Sequence, residues 1–283
     1  MIILKRIVEI KEFLAQKRAE KQSIGFVPTM GALHAGHIAL LTHSRSENEV
    51  SVASIFVNPT QFNNKEDLEK YPRTLEADSL MLKEAGCDVL FAPEVSEMYP
   101  SDNSSGRFEK VDLGNLDKVM EGAHRPGHFK GVMQVVSKLF DIVEPDRAYF
   151  GQKDFQQLTV IKEMVKQLNY PIEIIACPTI RESDGLAMSS RNVRLSPEER
   201  KVAPKIAQIL FQVKELSATK NADELKSFAE AEFKKEKLFT LEYVELADTK
   251  TLMPVKNLFE HLDVVVCVAL KLGTVRLIDN VIL

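Results

Sequence analysis

The chain has 283 residues, of which 45% are hydrophobic, enough for one large domain or two ordinary ones with a substantial core. Its formal net charge of −4 argues against a polyanionic partner, so we expect no nucleic acid to bind. The longest apolar run, residues 264–270, is far too short to span a membrane, and the apolar stretch at the N-terminus is too short for a signal peptide. We therefore expect no membrane association.

Strand-like and helical patterns alternate along the first 178 residues. Buried strands are predicted over 23–27, 50–57, 88–92, 147–150 and 172–176. Helices are predicted over 7–18, 66–85 with an interruption at Pro72, 132–143 and 155–168, and another helix begins near Ile38. Residues 94–130 read as irregular, with an edge strand over 107–111 and a polar, glycine-punctuated loop over 122–131. This alternation predicts an α/β fold, a Rossmann-like parallel sheet with helices on both faces.

The pattern changes near residue 185. Ser196 and Pro197 are typical of a helix start, and helices are predicted near 197–216 and 222–236. Strands follow over 241–247, 264–270 and 275–278. We therefore predict a Rossmann-like domain over residues 1–184 and a smaller C-terminal α+β domain over residues 185–283.

The cysteines indicate a reducing compartment. Cys87, Cys177 and Cys267 lie far apart in the sequence, each within an apolar run. Two of them could pair in principle, but buried free thiols in a cytoplasmic protein are the favoured interpretation. No Cys-x-x-Cys motif occurs, which argues against a thiolate zinc site.

The most informative stretch is Pro28-Thr29-Met30-Gly31-Ala32-Leu33-His34-Ala35-Gly36-His37. It places two histidines three residues apart where a predicted strand gives way to a helix. Unpaired N–H groups at a helix start suit an anion such as phosphate, and Gly36 lets a ligand approach the backbone closely. Two ordinary helix-start histidines, or a metal site, would also fit the pair alone. However, zinc-binding helical pairs usually lie four apart around a glutamate, so phosphate is favoured over metal.

Two further segments suit phosphate. In Lys153-Asp154-Phe155-Gln156-Gln157, Lys153 supplies a cation at the end of a predicted strand, although Asp154 could be a mere helix cap and Lys153 a solvated charge. In Met188-Ser189-Ser190-Arg191-Asn192, two hydroxyls and a guanidinium suit phosphate oxygens, although a polar interdomain linker would look the same.

The remaining polar groups are less specific. Asn58-Pro59-Thr60-Gln61 is, taken alone, a turn that ends a strand. Among His124, Arg125 and His128, the two histidines are predicted to lie in a solvated loop. His43 and His261 follow no pattern that suggests chemistry.

In this order, the motifs resemble the pantoate–β-alanine ligase family, and the resemblance runs through nearly the whole chain. The His-x-Gly-His element alone is shared by the wider nucleotidyltransferase superfamily. The turn from Asn58 to Gln61 and the Lys-Asp-Phe-Gln-Gln run narrow the resemblance to this family. The other segments that carry the resemblance are Tyr71-Pro72-Arg73-Thr74, Arg125-Pro126-Gly127-His128-Phe129, Met188-Ser189-Ser190-Arg191-Asn192 and Leu277-Ile278-Asp279-Asn280.

The resemblance implies an ATP-dependent ligase that condenses (R)-pantoate with β-alanine through a pantoyl-adenylate and releases AMP and pyrophosphate. It implies ATP as a substrate and Mg²⁺ held mostly by ATP and water, with no protein ligand assigned. It also implies a homodimer, while the cysteines favour a cytoplasmic location. We expect the domain of residues 185–283 to act as a lid that shields the adenylate.

The resemblance also implies site residues. His34, His37, Lys153 and Arg191 are the implied catalytic residues, and His37 matches the proton donor. Pantoate or β-alanine contacts are implied for Gln61, Gln157, Asn58 and Arg125. ATP contacts are implied for Met30, Gly31, Ala32, Leu33, His34, Ala35, Gly36, His37, Gly151, Gln152, Lys153, Asp154, Ile180, Met188, Ser189, Ser190 and Arg191.

Two other functions fit parts of the pattern. One is a nucleotidyltransferase that leaves AMP on its product, or an activator similar to an aminoacyl-tRNA synthetase. The other is a nucleotide-binding regulator without turnover, which would tolerate loss of Gln61 and Gln157. Pantoate-dependent exchange of pyrophosphate into ATP separates the ligase from the regulator.

Overall fold

A computed structural model of the protein describes residues 1–100, 106–258 and 263–283, so His261 lies outside the described residues. The chain forms two compact units. The first comprises Met1–Leu113, Arg125–Gln152 and Val160–Pro178, and the second comprises Gly114–His124, Lys153–Thr159 and Thr179–Leu283. The boundary at residues 184 and 185, drawn from the sequence, stays a prediction.

The first unit contains a six-stranded parallel sheet with the strand order β1-β4-β3-β2-β5-β6, and helices flank it. The predicted fold class is therefore confirmed. The strands are rich in buried apolar residues, as a parallel sheet covered by helices requires. Their bounds are β1 Ile2–Leu4, β2 Ile24–Thr29, β3 Val50–Ile55, β4 Val89–Phe91, β5 Arg147–Gly151 and β6 Glu173–Cys177. Strand β1 was not predicted, because its three residues are too few to show a pattern.

The chain order of the strands locates a binding edge. From β2 the sheet continues through β3 to β4 in one direction, whereas β5 pairs with the other side of β2. In parallel sheets, ligands bind beyond the carboxyl ends of the strands where the order reverses in this way. The segments that follow β2 and β5 are those that begin at Met30 and Gln152.

The helices mostly agree with the periodicity of the sequence. Those before β6 are α1 Ile7–Ala19, α2 Ala35–Glu47, α3 Lys65–Glu69, α4 Leu75–Glu84, α5 Val95–Met98, α6 Met120–His124, α7 His128–Val143 and α8 Phe155–Gln167. No helix among the residues that the structure describes is long and apolar enough to cross a membrane.

Two predictions for the irregular region were wrong. Residues Arg107–Lys110 form a 3₁₀ helix and not an edge strand, because Phe108 is buried and its carbonyl accepts the N–H of Val111. The segment 122–131 is largely helical and not a loop, since it contains the end of α6 and the first turn of α7. Its glycines suggested a loop, but Gly131 is a buried helical residue.

The second unit contains a three-stranded antiparallel sheet, ordered β7-β8-β9, and helices α9, α10 and α11 precede this sheet in the chain. Its core is formed by side chains such as Leu210, Phe233 and Val266, all fully buried. The elements are α9 Pro197–Val202, α10 Lys205–Leu216, α11 Ala222–Lys235, β7 Phe239–Asp248, β8 Val264–Leu272 and β9 Val275–Ile282. The predicted smaller α+β fold is confirmed.

Candidate active site

His34 and His37 cap the first turn of α2 reciprocally. His34 is the N-cap residue, and its Nδ1 accepts the N–H of Gly36 at 3.2 Å. His37, three residues later, accepts the N–H of His34 on its own Nδ1 at 3.3 Å. The two rings lie 4.1 Å apart between centroids. Because each Nδ1 accepts an amide proton, the proton of each neutral ring resides on Nε2.

The loop that leads into this helix is held by a carboxylate that the sequence patterns did not single out. Asp78 on α4 is 2% exposed, and its oxygens accept the N–H groups of Ala32 at 2.9 Å and Leu33 at 2.8 Å. Ala32 has a positive φ of 49°, and Gly31 before it has a φ of 81°. This left-handed pair points successive N–H groups in one direction, where an anionic oxygen can accept them. No spacing in the sequence connects α4 with this loop, so only the tertiary structure reveals the contact.

Gln61 lies in a 3₁₀ turn, Pro59–Gln61, that begins four residues after the end of β3. Asn58 caps this turn and is 1% exposed. The Asn58 Nδ2 group donates to Gln61 Oε1 and to the carbonyl oxygen of Gly131, both at 3.1 Å. Gln61 Nε2 in turn lies 3.0 Å from Met30 Sδ. The structure therefore brings a predicted pantoate residue into contact with the first residue of the predicted ATP loop.

Asn58 is itself engaged by protein groups on both polar atoms. Its Oδ1 accepts the hydroxyls of Thr60 at 3.1 Å and Tyr99 at 2.8 Å. Burial raises the pKa of Tyr99 to about 12, so its hydroxyl stays protonated at neutral pH and keeps donating. These contacts orient Gln61. A direct contact between Asn58 and a substrate remains a prediction.

The prediction that both nearby histidines are solvated was wrong for His128. His124 is exposed, but His128 is 6% exposed and its Nδ1 lies 2.8 Å from the carbonyl oxygen of Gln61. A carbonyl oxygen only accepts, so Nδ1 of His128 carries the proton and donates it. Arg125, between them, is half-buried. Helix α7 buries His128 because its apolar face packs inward, which the polar residues of this segment conceal in the sequence.

In the second unit, the two consecutive glutamines have different surroundings. Gln156 is 4% exposed; its Nε2 donates to the carbonyl oxygens of Leu116 and Val119, and its Oε1 accepts the N–H of Glu121. Gln157 is half-buried, and no side-chain hydrogen bond joins it to the residues that the structure describes. Gln156 thus holds the main chain of residues 116–121, while Gln157 stays available to a ligand.

Lys153 lies in the 3₁₀ turn Gln152–Asp154 at the start of this segment. Its ammonium group is 3.6 Å from a carboxylate oxygen of Asp154, and the Asp154 side chain is half exposed. An ion pair at this distance, with one partner half exposed to water, holds its partners weakly. The Lys153 ammonium can therefore exchange this carboxylate for a phosphate.

The other predicted phosphate ligands of this unit follow a tight hairpin. Arg181 and Ala187 pair across it, and the N–H of Met188 bonds the carbonyl oxygen of Ile180 at 3.0 Å. Beyond the hairpin, the Ser189 hydroxyl accepts the N–H of Arg191 at 3.3 Å. Met188, Ser189, Ser190 and Arg191 are all half-buried. The segment after the hairpin therefore places the hydroxyls of Ser189 and Ser190 and the guanidinium of Arg191 next to one another in the chain.

Each unit thus collects part of the predicted site. His34, His37, Met30 and Gln61 belong to the first unit, and the cations Lys153 and Arg191 belong to the second. That both sets act on one triphosphate remains a prediction. No group of three or more His, Cys, Asp or Glu residues that could hold a metal occurs within 1–100, 106–258 and 263–283.

Comparisons with known proteins identify the family. The family model described as pantoate-beta-alanine ligase matches residues 2–282. The chain is 50% identical over 281 residues to the pantothenate synthetase of Porphyromonas gingivalis, covering 99% of each protein, and 48% identical over 285 residues to that of Thermotoga petrophila, covering 100% of each.

Solved structures agree with this assignment. The pantothenate synthetase of Thermus thermophilus superposes with a TM-score of 0.93 at 43% identity, with 99% of each chain covered. The pantoate-beta-alanine ligase of Francisella tularensis, solved with beta-gamma ATP and beta-alanine, superposes with a TM-score of 0.81 at 39% identity, covering 99% of this chain and 97% of that one. On the length and level of these matches, the chain belongs to the pantoate–β-alanine ligase family.

Proposed function

We propose that the protein condenses (R)-pantoate with β-alanine at the expense of ATP, forming pantoyl-adenylate first and releasing pyrophosphate and AMP. The observation that carries this proposal is the match to the ligase family along residues 2–282. The Francisella relative that holds beta-gamma ATP and beta-alanine supports these two compounds as ligands here.

In the first step, the carboxylate of pantoate attacks the α-phosphorus of ATP and pyrophosphate leaves. Negative charge grows on the bridging and non-bridging oxygens, so catalysis depends on positioning and on prearranged positive charge. We assign Lys153 and Arg191 to these oxygens, with Ser189 and Ser190 as hydroxyl donors to the triphosphate. Asp154, Gln152, Gly151, Ile180 and Met188 are assigned to the nucleotide as the family resemblance implies.

The histidine pair supplies ring N–H donors. With both Nδ1 atoms bonded to amide N–H groups, His34 and His37 present Nε2–H to a ligand. The α2 N-terminus adds a partial positive charge beside them, which favours phosphate. We assign His37 as the donor to the departing phosphate oxygens and His34 as its partner.

We assign pantoate to Gln61 and Gln157, with Arg125 and Asn58 as further contacts for pantoate or β-alanine. Neutral amides suit this substrate because a bidentate arginine would bind the carboxylate tightly and lower its nucleophilicity. Gln157→Arg is therefore expected to keep or tighten pantoate binding while it slows adenylation. A faster adenylation rate would contradict this reasoning.

In the second step, the neutral amine of β-alanine attacks the acyl carbon of the adenylate, and AMP leaves. The mixed anhydride must be kept from water until then. We propose that residues 185–283 serve as the lid; identical solution scattering with and without ATP would argue against closure. As the family resemblance implies, we propose that Mg²⁺ accompanies ATP and is held mostly by ATP and water, where it would neutralise phosphate charge.

A cytoplasmic homodimer completes the proposal. Cytoplasmic location is supported by the three free, buried cysteines, which need no oxidising compartment. The dimer is supported by family resemblance alone, and sedimentation at several protein concentrations tests it.

The decisive experiment is exchange of labelled pyrophosphate into ATP with and without pantoate. The proposed ligase exchanges the label only when pantoate is present. A nucleotide-binding regulator would show no exchange, and a nucleotidyltransferase that keeps AMP on its product would form no amide when β-alanine is added.

A further inference from the structure

A buried ion pair in the second unit has no part in the chemistry assigned above. The guanidinium of Arg181 bonds both carboxylate oxygens of Asp279, at 2.6 and 3.0 Å. Asp279 on β9 is 3% exposed. A buried pair of this kind adds little net stability, because desolvation of the charges offsets their attraction. Its two parallel hydrogen bonds do fix geometry, since they hold the arginine in one orientation.

From this pair, Arg181 reaches the hairpin that carries the phosphate ligands. Its Nη1 also donates to the carbonyl oxygen of Gly185 at 3.1 Å, and Arg181 is itself a pairing partner of Ala187. Gly185 has a φ of 93°, as the tight return of the chain requires. The arginine therefore fixes the hairpin that ends directly before Met188 and the predicted phosphate ligands.

From the same pair, Asn280 reaches the other cationic segment. The main-chain N–H of Asn280 donates to Asp279 Oδ1 at 2.8 Å, and its carbonyl oxygen accepts Arg181 Nη2 at 3.3 Å. With its backbone held in this way, Asn280 donates its side-chain Nδ2 to the carbonyl oxygen of Lys153 at 2.8 Å. Asn280 is 5% exposed, so water competes little for this bond.

We propose that Arg181, Asp279 and Asn280 are positioning residues, which hold the main chain of Lys153 and the hairpin before Ser189–Arg191 in one fixed arrangement. The inference rests on the proposed roles of Lys153 and Arg191 as phosphate ligands. It assigns a purpose to the Asp279-Asn280 sequence near the C-terminus, which the proposed chemistry does not use.

The physical need for such positioning comes from the lysine. Its four-carbon stem is flexible, so the reach of its ammonium group depends on where the main chain is held. A displacement of about 1 Å in a catalytic group can cost roughly 10²-fold in rate. Loss of the Asn280 bond should therefore impair ATP binding and adenylation, the steps assigned to Lys153, and leave the attack of β-alanine on a supplied adenylate unchanged.

A double-mutant cycle with Asn280→Ala and Lys153→Ala tests this coupling. The readouts are the ATP dissociation constant by calorimetry, which needs no turnover, and the pantoate-dependent exchange rate. We expect Asn280→Ala alone to raise the ATP dissociation constant and to lower the exchange rate, each roughly 10- to 100-fold. In the Lys153→Ala background, the same substitution should change the ATP dissociation constant less than about twofold. Glu245→Gln is the control, since it removes the charge of the Lys226–Glu245 ion pair between α11 and β7 of the same sheet and should leave both readouts unchanged.

A second variant protects the test against misfolding. Asn280→Asp keeps the size of the side chain but turns a carboxylate oxygen toward the Lys153 carbonyl, which removes the donor. It should show at least the loss seen with alanine. Because its buried carboxylate faces an acceptor oxygen, its unfolding midpoint should fall, so both variants are compared with the parent protein at a temperature where unfolding curves show all three to be folded. If the effects of Asn280 and Lys153 simply add, or if β-alanine attack falls equally, the residue is only structural and the inference is overturned.

Failure of the underlying function would look different. If the parent protein shows no pantoate-dependent exchange, the proposed function fails. If the parent exchanges label and Lys153→Ala abolishes it while Asn280→Ala and Asn280→Asp behave as the parent, the function stands and the positioning network is refuted.

Discussion

Gly131 lies so close to Thr60 that a side chain at residue 131 has no room. A Cβ atom there would collide with the Thr60 carbonyl oxygen and would lie 2.7 Å from the Gln61 Cα atom. The backbone of helix α7 therefore contacts the backbone of the Gln61 turn with no side chain between them. At this contact, the Gly131 carbonyl oxygen accepts a hydrogen bond from the Asn58 side-chain amide. The approach of the helix sets the position of Gln61.

Gly131→Ala should push the helix and the turn apart. We expect a loss of about 1–3 kcal/mol in the free energy of unfolding, because the obstructing atoms are backbone and cannot rotate away. Displacement of Gln61 should raise the KM for pantoate more than the KM for ATP. Denaturant unfolding and steady-state kinetics check both effects. Lys130→Ala, an exposed change on the same helix, serves as the control.

His37→Gln separates the capping role of His37 from its chemistry. Glutamine at this third helical position can still accept the N–H of the N-cap residue, so the unfolding free energy should change by less than about 1 kcal/mol. It cannot act as an acid, so the single-turnover rate of adenylate formation should fall roughly 10²- to 10⁴-fold, as should that of His37→Ala. An unchanged rate in either variant would remove the proposed role.

Asp78→Asn tests the anchor of the histidine loop. The amide retains one acceptor oxygen, so either Ala32 or Leu33 loses the partner of its N–H. One buried donor left without an acceptor costs about 1–3 kcal/mol of stability. The loosened loop should also raise the KM for ATP. Glu76→Gln, which removes a charge from the exposed face of the same first turn, should change neither quantity.

The adjacent glutamines should respond in opposite ways. Gln156→Ala deprives the carbonyls of Leu116 and Val119 and the N–H of Glu121 of their partner, so it should destabilise the protein by several kcal/mol. Gln157→Ala removes no such bond and should leave stability unchanged while it raises the KM for pantoate. Thermal unfolding and pantoate titrations distinguish the two. Equal loss of stability in both variants would contradict the assignment.

The three thiols should not react with thiol reagents in the folded protein. All three cysteines are free and buried, as predicted, and burial raises the pKa of the Cys87 and Cys177 thiols to about 11 from an ordinary value of 9.0. A thiol-specific disulfide reagent at pH 8 should therefore label no cysteine until denaturant is added, when all three should react. Rapid labelling of the folded protein would refute this.

The same shifts give these thiols a pH-dependent part in stability. Because the folded-state pKa is raised, their contribution is fully present below about pH 9 and is lost as the pH rises through 11. Urea unfolding between pH 8 and pH 11 should show this loss, and Cys177→Ala should reduce the slope.

The sequence by itself determined the α/β fold with its parallel sheet, the smaller α+β part and the family. Those properties depend on local patterns: the buried strand Val264–Leu272 begins with a continuous apolar run, and the His34–His37 pair is recognisable within one short segment. Periodicity reports which face of an element is buried, so it predicted most helices and strands near their true positions.

Only the tertiary structure decided how the site residues are held. Asp78 meets Leu33 across 45 positions of sequence, and Asn280 meets Lys153 across 127, so no local pattern contains these contacts. It also reversed the prediction for His128, which is polar in sequence yet buried because α7 packs against the Gln61 turn. Hydrogen-bond partners are chosen by the geometry of the folded chain, and a sequence pattern records only which residues can donate or accept.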